Sequence, residues 1–111
     1  MKVHSRWLGV APETIYLTGG ASQNDGIAQT VANVFGVPVS RLRVAGSAAL
    51  GAAMRAAHAA CGVTLESMEE AFCQPEKGST VTPEEGVGEI YTGLEQKWVS
   101  ALHEAFPLPN D

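Results

Sequence analysis

Apolar positions along this chain change period from segment to segment, and the periods mark out the elements. Within residues 24–35, Ile27, Val31, Val34 and Phe35 recur at i, i+4, i+7 and i+8, the stripe of an amphipathic helix. Ser22 with Asp25 three positions on fits its start, and Gly36 and Pro38 supply its stop. Two short runs read as strands. Residues 14–18, TIYLT, are rich in β-branched and aromatic side chains and run straight into Gly19 and Gly20, which predicts a buried strand ending in a tight turn. Residues 37–44 carry Val37, Val39, Leu42 and Val44, and the alternation slips between Val39 and Leu42, where a bulge or a turn is expected.

Further helices follow. Residues 47–61, SAALGAAMRAAHAAC, predict an alanine-dominated helix with Ser47 as its cap and Gly62 past its end. Its small side chains, and Gly51 in particular, would let a neighbour come close. A short helix over residues 65–72 precedes a polar link over residues 74–81 that is expected to be solvent-exposed. Thr82, Pro83, Glu84 and Glu85 then set a capping box with proline at the first helical position. The helix it opens has the stripe Ile90, Leu94, Trp98, Ala101, Leu102 and Ala105, and stops at Pro107. Near the start, Val3, Trp7 and Val10 fit the tail of a helix. The order predicts an α/β fold, helix-rich with about two strands. Two strands do not close a core on both faces, so further strands are expected elsewhere.

Composition bounds the possibilities. A chain of 111 residues, 45% hydrophobic and 17% charged, suits one soluble unit with one core. The net charge of −5 hides two unlike halves. Residues 1–62 carry five cations against two acids, a balance of +3, and residues 63–111 carry two lysines against ten acids, a balance of −8. An anionic ligand is therefore expected on the first half. Five scattered cations without aromatic interleaving disfavour nucleic acid and favour a small phosphate-bearing ligand. Cys61 and Cys73 follow no metal or redox spacing and are expected to be buried thiols in a reducing compartment. His4, His58 and His103 match no ligand spacing, and Trp7 and Trp98 are expected to be core or partner-facing anchors. No apolar run would span a bilayer and no signal peptide is legible, so a cytoplasmic protein without a membrane role is expected.

The segment with chemical content is Thr18-Gly19-Gly20-Ala21-Ser22-Gln23-Asn24, a glycine turn that leaves a strand and feeds a helix. Such a turn favours phosphates: glycine lets the main chain approach a ligand, and the helix start offers unpaired N–H groups and a positive dipole end. The chain has neither the glycine-lysine spacing of a P-loop nor the glycine triplet of a dinucleotide fold. The carboxamide of Asn24 can donate and accept at once and could read a nucleobase or ribose edge, its alternative role being a helix cap. Ser22 and Asp25 are assigned to capping.

The stretch YLTGGASQNDGIAQTVANVFGVPV, followed by AGSAALGAAMRAAHAACG, resembles the C-terminal signature region of FGGY-type carbohydrate kinases, and SAALGAAMRAAH is most similar to their xylulokinase branch. The likeness covers about residues 10–62, with a fainter one in EIYTGLEQKWVSAL. The resemblance implies a piece of an actin-like ATPase (ribonuclease H-like) domain, residues 1–111 being the C-terminal portion of the second, nucleotide-side domain. It implies a parent enzyme that closes on sugar and MgATP and phosphorylates a pentulose such as D-xylulose. Gly19, Gly20, Ala21 and Asn24 would line the ribose, phosphate and adenine side of the cleft, and the helix with Gly51 would buttress it. Ser47 stands where many relatives have glutamate.

Phosphoryl transfer needs an acidic base and a metal site. Of the two aspartates, Asp25 belongs to a helix start and Asp111 is the last residue, so no catalytic residue is expected on this chain, which alone should be inactive. In the resembled kinases the base and the sugar site lie upstream. Two other readings stand beside this one: a dehydratase-activator ATPase of the same fold, whose iron–sulfur cluster Cys61 and Cys73 do not obviously supply, and a non-catalytic interaction module whose exposed apolar faces pair with another copy, as a homodimer, or with another chain.

Overall fold

A computed structural model describes residues 9–107. Strand β1 (Ile15–Leu17) leads through a 3-10 turn (Gly20–Gln23) into helix α1 (Asp25–Phe35), which returns the chain to strand β2 (Val39–Arg41). The strands are parallel, with Ile15 opposite Val39, Tyr16 opposite Ser40 and Leu17 opposite Arg41. This is a βαβ unit, since parallel neighbours need a crossover and α1 is that crossover. Helices α2 (Ser47–Cys61), α3 (Leu65–Phe72) and α4 (Val87–Ala105) follow. None of the helices among the described residues is long and apolar enough to cross a membrane.

The core lies between α1 and one face of the two strands. Ile15, Ala28, Ala32 and Val39 are buried there, with Leu17, Val31, Phe35, Val37 and Val81 packed around them. The side chains of α1 that sit deepest are alanines, while Ile27 is exposed. The small residues four apart let the helix axis approach the sheet, so the larger apolar side chains flank the contact instead of filling it.

Several local expectations are corrected. The cap of α1 is Asn24, not Ser22: Asn24 has extended backbone and its Oδ1 accepts from the Ile27 N–H at 3.1 Å. Ser22 is buried within the 3-10 turn, its hydroxyl donating to the Gly19 carbonyl at 2.6 Å. Gly36 ends α1 in the left-handed region at φ 69°, as its sequence position implied. Strand β2 is only three residues long, and Leu42 pairs instead with Pro75 in an isolated bridge. Helix α2 is capped by Gly46, with Ser47 already inside the helix and making no cap hydrogen bond.

The link over residues 74–81 is not simply solvated. Val81 bridges Val39 in antiparallel fashion and Ser79 is buried, because β2 would otherwise leave its outer edge unpaired. Residues 82–86 form a strap and not the first turn of a helix, since Asn33 on α1 captures Glu84. Its Oδ1 accepts from the Glu84 N–H at 2.8 Å and its Nδ2 donates to Glu84 Oε2 at 2.9 Å. Gln29 donates to the Thr82 carbonyl at 2.8 Å, and Gly86, at φ 77°, delays the helix to Val87.

The stripe of α4 is uncovered: Ile90, Leu94, Trp98 and Leu102 are all exposed, so Trp98 is no core anchor. Cys61 is likewise exposed, on an α2 that buries none of its residues. The radius of gyration is 18.0 Å, against about 13 Å for a compact domain of this length, so the chain is open. The helix expected around Val3 and Trp7, and His4 with it, fall on residues 1–8, outside those described.

Candidate functional site

The glycine turn stands where the sequence placed it, at the carboxyl end of β1 and before a helix N-terminus. Gly19 has φ 85° and ψ 174°, a region essentially closed to side-chain-bearing residues. Gly20 begins the 3-10 turn without a positive φ. A methyl group built on either glycine would meet no atom within 4 Å, so the outer side of the turn is open to a ligand. Gly20, Ala21 and Asn24 are exposed and Gly19 is half-buried.

Asn24 takes the cap role that its sequence position allowed. Its Oδ1 is used by the cap on Ile27, and its Nδ2 makes no hydrogen bond among the described residues. The two N–H donors of Nδ2 are therefore left unused on an exposed side chain, at the positive end of α1. Ser22, inside the turn, is spent on shaping it.

Two features of the site were not legible beforehand. The Gly19 N–H donates to the Ala45 carbonyl at 3.0 Å, which draws the start of α2, at Gly46, alongside the glycine turn. Arg41, at the end of β2, reaches the other end of the turn, with Nη1 3.4 Å from the Gln23 carbonyl and 3.0 Å from Asp25 Oδ1. A glycine before the alanine-rich helix and a cation at a strand end were the available signals, and neither is specific without the register that aligns Leu17 with Arg41.

Elsewhere, His58 Nδ1 hydrogen-bonds the Val63 carbonyl at 2.8 Å, a role in shaping the end of α2. Among the described residues no group of three His, Cys, Asp or Glu side chains could hold a metal ion. An open groove of 630 Å³ between the end of α1 and α4, lined by residues including Phe35, Gly88 and Gly93, shares no residue with the turn.

Residues 4–60 match the profile of the FGGY family of carbohydrate kinases, C-terminal domain, which is half of the chain. The chain belongs to the FGGY family of carbohydrate kinases. This FGGY chain is 37% identical over 107 residues to the xylulose kinase of Mus musculus, covering 93% of the chain and 19% of that relative. It is 37% identical over 97 residues to the xylulose kinase of Rattus norvegicus, covering 84% and 18%. Among solved structures it is similar to ligand-bound xylulose kinase from Lactobacillus acidophilus, with a TM-score of 0.68 at 26% identity over 84% of the chain and 19% of that structure. Gluconate kinase from the same organism gives 0.67 at 26% identity over 84% and 18%. The two strands and their helices thus belong to the actin-like ATPase fold of the FGGY sugar kinases. The FGGY chain spans about a fifth of the length of the curated relatives it matches.

Proposed function

We propose that residues 1–111 are the C-terminal portion of the nucleotide-side domain of an ATP-dependent sugar kinase acting on a pentulose such as D-xylulose. In this reading the glycine turn is one wall of the ATP site. The observation that carries it is the unobstructed turn at Gly19 and Gly20, with the Asn24 Nδ2 donor left unused beside it. The residues present fit a nucleotide: backbone approachable at two glycines, a side-chain amide group with two N–H donors for ribose or base, and a helix dipole for negative charge. Among the described residues no cluster of carboxylates fits a Mg²⁺ ion. Asp25 is paired with Arg41 and caps no reaction, so the acceptor's base belongs to other parts of such an enzyme.

Magnitudes set the affinity of this half-site. One net hydrogen bond contributes about 1 kcal/mol and an exposed dipole contact about 0.3–1 kcal/mol. Millimolar binding needs about 4 kcal/mol, so the chain by itself should bind MgATP with millimolar affinity or weaker. The test is a titration with MgATP followed by amide chemical shifts, with Asn24→Asp as the decisive variant. Aspartate keeps the oxygen that caps Ile27 and loses the donor, so folding stability should hold while the shifts at residues 19–24 shrink. Shifts spread over the surface, or an Asn24→Asp response equal to that of the native chain, would overturn the reading.

A further inference from the structure

We infer that Arg41 is the positioning residue of the glycine turn, fixing the end that carries Asn24; only the consequence for ATP rests on the nucleotide-site reading above. The turn has two ends, one tied to the chain just after β2 and the other to the last residue of β2. Its start is held by the Gly19 N–H on the Ala45 carbonyl. Its end is held through the residues on either side of Asn24: Arg41 Nη1 lies 3.4 Å from the Gln23 carbonyl and 3.0 Å from Asp25 Oδ1. Gln23, Asn24 and Asp25 are all exposed, so packing does not fix them.

Arg41 is suited to the task because it is itself fixed. Its N–H donates to Ser79 Oγ at 3.0 Å and its carbonyl accepts from the Glu76 N–H at 2.8 Å, while β2 holds it opposite Leu17. The Arg41 side chain is 20% exposed against 84% for Asp25, so the arginine is the anchored partner and the aspartate the solvated one. Its Nε is buried without a hydrogen bond, 3.8 Å from Glu76 Oε2. A guanidinium placed for stability alone would fill that donor, whereas here the fork is turned so that one terminal nitrogen serves two acceptors flanking Asn24. The neighbouring cation has no such role: Arg43 Nη2 donates to the Ala71 carbonyl at the end of α3.

The test compares Arg41→Ala, Arg41→Lys and Arg43→Ala in the full chain, by amide hydrogen exchange over residues 19–25 and by MgATP titration. Because Asp25 is exposed, the expected effect of Arg41→Ala is modest, roughly two- to fivefold faster exchange at Gln23 to Asp25 and a similar rise in the dissociation constant. Arg41→Lys, which keeps the charge beside Asp25, should recover part of both, and Arg43→Ala should move neither. Unchanged exchange in Arg41→Ala, or an Arg43→Ala effect of equal size, overturns the inference. Should Arg41→Ala fail to fold, Arg41→Gln keeps most of the stem and is read by the same criteria. Faster exchange in Arg41→Ala with no MgATP response in the native chain supports the anchor and sinks the nucleotide reading.

Discussion

Replacing the two turn glycines singly by alanine separates what the backbone requires from what a ligand requires. At Gly19 the φ of 85° with ψ of 174° is a conformation that alanine adopts only under strain, which costs about 1–3 kcal/mol. Nothing offsets or adds to that cost, because the new methyl group would touch no atom within 4 Å. At Gly20 the same methyl group is also unopposed, but the backbone is ordinary, so alanine should be neutral or stabilise by up to about 1 kcal/mol through the unfolded chain. For a chain near this length about 1 kcal/mol moves the midpoint by roughly 4–8 °C. Thermal unfolding followed by circular dichroism should therefore place Gly19→Ala several degrees below the native chain and Gly20→Ala at or above it. The MgATP response should show a different order, with Gly20→Ala losing it while folding normally, since its methyl group occupies the open outer side of the turn. A Gly20→Ala chain that keeps the full MgATP response would refute the close approach of ligand to backbone, and a Gly19→Ala chain of native stability would refute the strain argument.

Two further outcomes follow from the packing. Asn33→Ala removes two hydrogen bonds to Glu84 and one from Gln29, and because Glu84 is exposed and can return to water, the loss should be about 1–3 kcal/mol in urea unfolding; a change below about 0.5 kcal/mol would show that the strap over residues 82–86 does not hold α4 to α1. In a Trp7→Phe background, the emission of Trp98, which is 59% exposed, should be quenched by acrylamide nearly as readily as that of free tryptophan, and protection would show that the α4 stripe is covered in solution.

Much of the architecture was legible locally. The β-branched run before Gly19 and Gly20, the helix stop at Gly36 and the alanine-rich helix ending at Gly62 all stand where short-range patterns put them, because each is decided by backbone preference within a few residues. The cap of α1 was misplaced by two residues, since Ser22 and Asn24 are both good caps and only the 3-10 turn, which takes up Ser22, decides between them. The capping box at Thr82 and Pro83 is sound chemistry that the chain does not use, because Asn33, more than fifty residues upstream, takes Glu84 first.

By itself, then, the sequence determined the order strand, helix, strand, the position of the glycine turn and, through its likeness to FGGY kinases, the family. Those depend on local dihedral preferences and on residues adjacent in the chain. Tertiary structure alone decided which polar groups are spent and which are left over: Ser22 on Gly19, Asn24 Oδ1 on Ile27, Arg41 on the flanks of Asn24, and the exposed stripe of α4. Hydrogen bonds and burial between distant residues are set by parallel register and by which faces meet, and a one-dimensional pattern carries neither.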